Sequence, residues 1–168
     1  MLASAIVLGV LAAFATGGNL SRFAQVRIRF WPLLLVAIGI RVVAGISSLG
    51  LLFAASLFGI LLVCIANRRL PGVLLIALGT ALNFTVVAAN NGMPVSAAAL
   101  AGASATFPLD GLHTEMSSST LLDWLGDVVP LPLVRGVYSF GDLASAGRSL
   151  THLVTVARWS RLTPCGQS

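Results

Sequence analysis

The residues best suited to acid–base chemistry in this chain all fall late in it: Asp110, His113, Glu115, Asp123, Asp127, Asp142 and His152. Two carboxylates held close together cannot both ionise, so they share a proton, and one of them can then activate water as aspartyl hydrolases do. Asp142 with Asp127 or Asp123 is the candidate pair for that chemistry. Asp142 also follows Ser139 at the S-x-x-D spacing of a helix start. Its simplest role there is to satisfy free backbone N–H groups and the positive end of a helix dipole. His113 sits in a loop and His152 lies one turn after Arg148. Neither has a Cys, His or carboxylate at metal-ligand spacing, so no metal site and no cofactor is expected.

The remaining polar candidates lie in or beside apolar runs. Arg41 falls midway along one such run. A charge at that depth costs about 2.5–3.5 kcal/mol on insertion scales, so it is expected to face a protein interior and to pair with an acid, above all Asp142. Arg148 and His152 form a polar stripe on a later run, and Asn83, Thr80 and Thr85 are placed to hydrogen-bond between helices. Asn90-Asn91-Gly92 is a turn signal. Cys64 and Cys165 form no motif and read as unpaired thiols. The sequence holds no phosphate-binding glycine loop, nucleophile elbow or zinc-protease motif.

The elements that must position these groups follow from composition. The chain has 168 residues, of which 57% are hydrophobic and 9% charged, and its mean hydropathy is +0.98. A water-facing surface needs roughly a quarter of its residues charged, so the solvent for much of this chain is lipid. Apolar segments run over about 2–16, 31–46, 49–66, 70–89 and 140–159. The first lacks the basic start of a signal peptide and reads as a retained helix. The expected fold is an all-α integral membrane protein. It is a single membrane domain over 1–168, built as a bundle of about five transmembrane helices with a short-helix cap over 90–139.

All ten basic residues are arginines, and seven of them cluster in alternate connections: Arg22, Arg27 and Arg29, then Arg68 and Arg69, then Arg158 and Arg161. Arginine-rich loops stay in the cytoplasm, which puts the N-terminus out, the C-terminus in and the acidic cap outside. The expected location is the bacterial plasma membrane, with the chain crossing it several times. The net charge of +5 is therefore a topology signal. With no basic patch interleaved with aromatics, no nucleic-acid partner is expected. Within the cap, Pro94 and the alanines after it predict one short helix. Thr120 is placed to cap a second over 121–128, with Leu121, Leu122, Leu125 and Val128 on one face.

Several short stretches resemble an uncharacterised family of small bacterial membrane proteins. They are Met93-Pro94-Val95-Ser96, the run Leu125-Gly126-Asp127-Val128-Val129-Pro130, and Ser139-Phe140-Gly141-Asp142 followed by Gly147. Gly18-Asn19-Leu20-Ser21 and Arg29-Phe30-Trp31 extend the likeness over most of the chain. The resemblance singles out Asp127 and Asp142 as the matching acids and implies no activity. A more local likeness joins Leu122-Asp123-Trp124 and Tyr138-Ser139-Phe140-Gly141-Asp142 to the two aspartate motifs of lipoprotein signal peptidase. The asparagine element Asn91-Gly92, however, follows four apolar segments where that enzyme has one. Two functions are consistent with these features. One is an accessory or assembly subunit, or a lipid- or pigment-contacting component, of a larger membrane complex. The other is an intramembrane hydrolase built on Asp142.

Overall fold

The computed structural model describes residues 27–70, 72–108 and 111–145. The apolar segment at 2–16, Asp110, Arg148, His152 and the part of segment 140–159 after residue 145 lie outside the described residues. Arg29–Ser145 form one compact unit.

The unit is mostly helical. Helix α1 spans Trp31–Ser47, α2 spans Gly50–Ala66 and α3 spans Val73–Asn90. Pro32 in the first turn of α1 suits a position whose N–H has no helical acceptor. Ser48 and Asn91 end α1 and α3 in the left-handed conformation, at φ of 56° and 53°, which Asn tolerates better than most residues. Among the described residues, α3 is the one helix long and apolar enough to cross a membrane; α1 and α2 are apolar and one residue shorter.

These helices pack by their small residues. Ala37, Ala44, Ala54, Ser56, Gly59, Ala77, Gly79 and Thr80 are buried. A Cβ added to Gly59 would sit 3.0 Å from that of Ala37. Many large side chains point the other way: Leu35, Val42, Ile46, Leu51 and Leu74 are all more than half exposed, whereas Phe53, Val63, Val86 and Val87 are buried. A water-soluble helical bundle has the opposite arrangement, with its bulky residues inside.

The two ends of the helices differ. At one end the Asn67 side chain receives the Arg29 N–H at 2.8 Å and donates to the Arg29 carbonyl at 2.8 Å, which ties the start of α1 to the end of α2. Arg68 and Arg69 follow directly. At the other end the chain between α3 and residue 140 forms a cap. Its Met93, Leu112 and Leu125 join Ala44, Phe53, Ala54, Val86 and Val87 in the main apolar cluster, so the cap is plugged between the tips of all three helices.

The cap departs from the short-helix expectation. Met93–Val95 form strand β1, which pairs in parallel with β2, His113–Glu115. Val129–Leu131 (β3) and Gly136–Tyr138 (β4) form an antiparallel hairpin. Helix α4, Ala97–Gly102, starts later than Pro94 suggested because residues 93–95 are committed to β1; Ser96 caps it by accepting the Ala99 N–H. The helix expected over 121–128 is a single 3-10 turn, Asp123–Leu125. Leu122 enters it in the left-handed conformation, and Thr120 is occupied instead by the Ser117 N–H. The leucines expected on one face are consequently split, with Leu125 buried and Leu121 and Leu122 exposed. Residues 140–145 begin a further helix, α5.

Candidate functional site

The polar candidates gather in three places. The first lies where α5 begins against the middle of α3. Asn83 Nδ2 donates to Asp142 Oδ1 at 3.0 Å, and Ser139 Oγ donates to Asn83 Oδ1 at 2.9 Å. The Asp142 N–H donates to Ser139 Oγ at 3.0 Å while the Ser139 N–H donates to Asp142 Oδ2 at 3.3 Å. This reciprocal pair is the capping box that the S-x-x-D spacing predicts, with aspartate in the acidic position. The α3 amide joins it, so each polar atom of the Asn83 side chain has a partner on the neighbouring element. Asn83 was visible in the sequence as an isolated amide in an apolar run, but nothing there named Asp142 as its partner.

Close approach of the two backbones makes this contact possible. A Cβ on Gly79 would collide with the Gly141 carbonyl and the Ser145 hydroxyl, and one on Gly141 would collide with Asn83 Oδ1. Gly141 and Ser145 on α5 recur at four-residue spacing opposite Gly79 on α3, and such small residues let helices touch along their backbones. Asn83 lies seven residues before Asn90, about 10 Å along the helix axis from its end.

The second place is where two of the recognised motifs cross. The Asp127 N–H donates to the Pro94 carbonyl at 2.8 Å and the Ser96 N–H donates to the Asp127 carbonyl at 3.0 Å. Residue 127 is thus bridged to β1 on the side away from β2. Asp127 is 4% exposed, and His113 Nε2 lies 3.7 Å from its Oδ2. His113 is accordingly half-buried against a carboxylate, where the sequence suggested a solvated loop residue. The Pro94-Val95 backbone threads between the strand bearing His113 and the loop bearing Asp127, so burial of Met93 and Val95 positions both groups.

The third place is the C-terminal end of α3. The Asn90 side chain accepts the Leu121 N–H at 2.9 Å and donates to the Leu121 carbonyl at 2.8 Å, which clips the 117–121 loop to the helix. Asn91 continues as the C-cap, and its backbone lies against Gly50, where a Cβ would collide with the Asn91 carbonyl. Asn90, Asn91, Thr114 and Glu115 border an open cavity of about 440 Å³ beside this clip.

The other predicted residues stand apart. Asp123 is exposed and accepts the Trp124 N–H at 2.8 Å. Arg41 is half-buried, with its guanidinium carbon 3.7 Å from the centroid of the Phe53 ring, a distance at which the ring face attracts a cation. The three candidate acids therefore sit in three settings: Asp142 with Asn83 and Ser139, Asp127 with His113, and Asp123 on its own turn. Among the described residues no group of three or more His, Cys, Asp or Glu is placed to hold a metal ion. Asn67 carries a structural role that the sequence reading missed. Its signal was an amide closing an apolar run just ahead of two arginines.

No curated protein and no solved structure matches this chain. Residues 23–147 match the family of unknown function DUF5317, and that stretch contains the Asn83–Ser139–Asp142 node, the Asp127–His113 crossing and the Asn90 clip. The chain belongs to that family.

Proposed function

We propose that this protein is a multi-pass component of the bacterial plasma membrane that works as an accessory or assembly subunit of a larger membrane complex. The observation that carries the reading is the sorting of residues by size. Alanine, glycine, serine and threonine make up most of the buried positions of α1, α2 and α3, joined by Phe53, Val63, Cys64, Val86 and Val87, while many of the leucines and isoleucines face outward. Lipid covers outward bulk at no cost, and small residues let helices associate where burial of apolar surface gives no advantage over acyl chains. The helices of 17 and 18 residues are about 25–27 Å long, close to the thickness of the hydrocarbon core. Charge supports the same orientation. Arg29, Arg68 and Arg69 lie at the end closed by Asn67, against the single Arg135 in the described part of the cap, and that excess favours an extracytoplasmic cap.

A subunit role fits the use of the polar groups. The side chains of Asn67, Asn83, Asn90 and Ser139 are spent on joining elements, which builds a rigid cap on a small helical base. The hydrolase alternative needs Asp142 to work with Asp127 or Asp123, and Asp142 is engaged instead by an amide and a capping serine. Purification in mild detergent from cells expressing the protein at native level tests the reading. A partner retained in fixed stoichiometry through size exclusion is expected, with Asp142→Asn retaining it as well. A lone monomer that hydrolyses a membrane substrate, and loses that activity in Asp142→Asn, would replace this proposal with the enzymatic one.

A further inference from the structure

The cavity at the outer end of α3 is not used by any of the joints described above. It is a shallow, open depression of about 440 Å³, lined mostly by polar groups. Its walls are the last turn of α3, Thr114 and Glu115 of β2, and the 117–121 loop. Those walls are held in place before any ligand arrives. The Asn90 amide clips Leu121 in both directions, the Ser117 N–H is bound to Thr120 Oγ1 at 2.9 Å, and the Ser117 and Ser119 hydroxyls lie 2.9 Å apart. A preformed wall loses little freedom on binding.

The chemistry of the walls selects a charge and a size of charge. Glu115 is the only ionisable residue among those that line the cavity. The C-terminal end of α3 adds the negative pole of its dipole, roughly half an elementary charge, from carbonyls left without helical donors. Ser117 and Ser119 line it too and carry hydroxyl oxygens. Among the described residues that line it there is no cation to receive an anion. A divalent metal ion ordinarily takes several carboxylates or a full oxygen shell, and one carboxylate leaves it under-neutralised. A singly charged group that donates several hydrogen bonds matches one carboxylate, a helix C-terminus and the neighbouring serine hydroxyls.

We propose that this cavity binds a primary ammonium group, with the Glu115 carboxylate as its counter-ion. Such a group can belong to a free amine or to an ethanolamine lipid headgroup. The lipid source rests on the membrane reading above, which sets the end of α3 at headgroup depth, whereas binding of a free amine does not depend on it.

The full chain in maltoside detergent and amine-free phosphate buffer tests this by titration calorimetry with ethanolamine and phosphoethanolamine. In parallel, native mass spectrometry measures lipid retained from nanodiscs of phosphatidylethanolamine or phosphatidylglycerol. Saturable binding of the soluble amines identifies a free amine as ligand. Retention of phosphatidylethanolamine over phosphatidylglycerol identifies the headgroup. Either result is expected to weaken about threefold in Glu115→Gln, a charge-assisted hydrogen bond at an exposed site being replaced by a neutral one. Ser119→Ala is expected to weaken it less. Thermal unfolding of both variants should match the parent, because Glu115 is exposed. Absence of binding in both formats, or equal binding by Glu115→Gln, overturns the proposal. Failure of the membrane reading would appear separately, as release of the protein from membranes by alkaline carbonate.

Discussion

Gly79 and Gly141 show how little room α3 and α5 leave between them. Each would drive a Cβ into a backbone carbonyl or polar group of the other element, so neither neighbour can yield by rotating a flexible side chain. Gly79→Ala is expected to destabilise the fold by about 1–3 kcal/mol through overpacking, read as a lower midpoint of thermal unfolding in detergent. An unchanged midpoint would mean that the two helices do not touch at Gly79. Asp142 offers a graded comparison at the same junction. Asp142→Ala removes the acceptor used by both Asn83 and the Ser139 N–H, and a loss of about 0.5–2 kcal/mol is expected. Asp142→Asn keeps one of the two accepting oxygens but turns an NH2 toward the other donor, so it should lose somewhat less than Asp142→Ala. Equal losses in the two variants would show that charge, rather than hydrogen bonding, matters at this position.

The elements divide into those that the residue pattern announced and those that pairing at a distance created. Asn90 belongs to the second kind, because its amide holds a loop thirty-one residues away. Asn90→Ala should free that loop at a cost of about 1–2 kcal/mol and make the 117–121 stretch the first site of limited proteolysis, with α1, α2 and α3 still protected. Resistance equal to the parent would deny the clip its role. The three apolar runs gave helix ends within a few residues, since an apolar stretch bounded by Arg, Pro, Gly or Asn has few other ways to satisfy its backbone. The start of α5 was legible from Ser139 and Asp142 for the same local reason. The cap was not legible. Three-residue strands carry no periodicity, and whether residues 93–95 turn into helix depends on residues 113–115 and 127 lying alongside them. The Thr120 signal was read as a helix cap, yet a serine-rich turn took that hydroxyl first. The pairing of His113 with Asp127, like that of Asn83 with Asp142, is a product of topology and left no trace in spacing.

At the level of the whole molecule, the charge pattern and the packing pattern make one joint statement about orientation. Cysteine placed at Ser119 should react with a membrane-impermeant maleimide in intact cells, and cysteine placed at Arg68 should react only after permeabilisation, both in a Cys64→Ala, Cys165→Ser background. Equal labelling of the two positions would reverse or abolish the proposed topology. The clasp of Asn67 on Arg29 also sets an order of assembly. The α1–α2 hairpin is closed by a two-residue turn at one end and by that clasp at the other, so all of its partners have left the ribosome once residue 67 has. Met93, Leu112 and Leu125 must instead wait until α3 has joined the pair and the chain has passed residue 125. Synthesis therefore delivers a finished hairpin first and its lid afterwards. A chain stalled between the two would expose the apolar seat of that lid, the state that chaperones and quality-control proteases recognise.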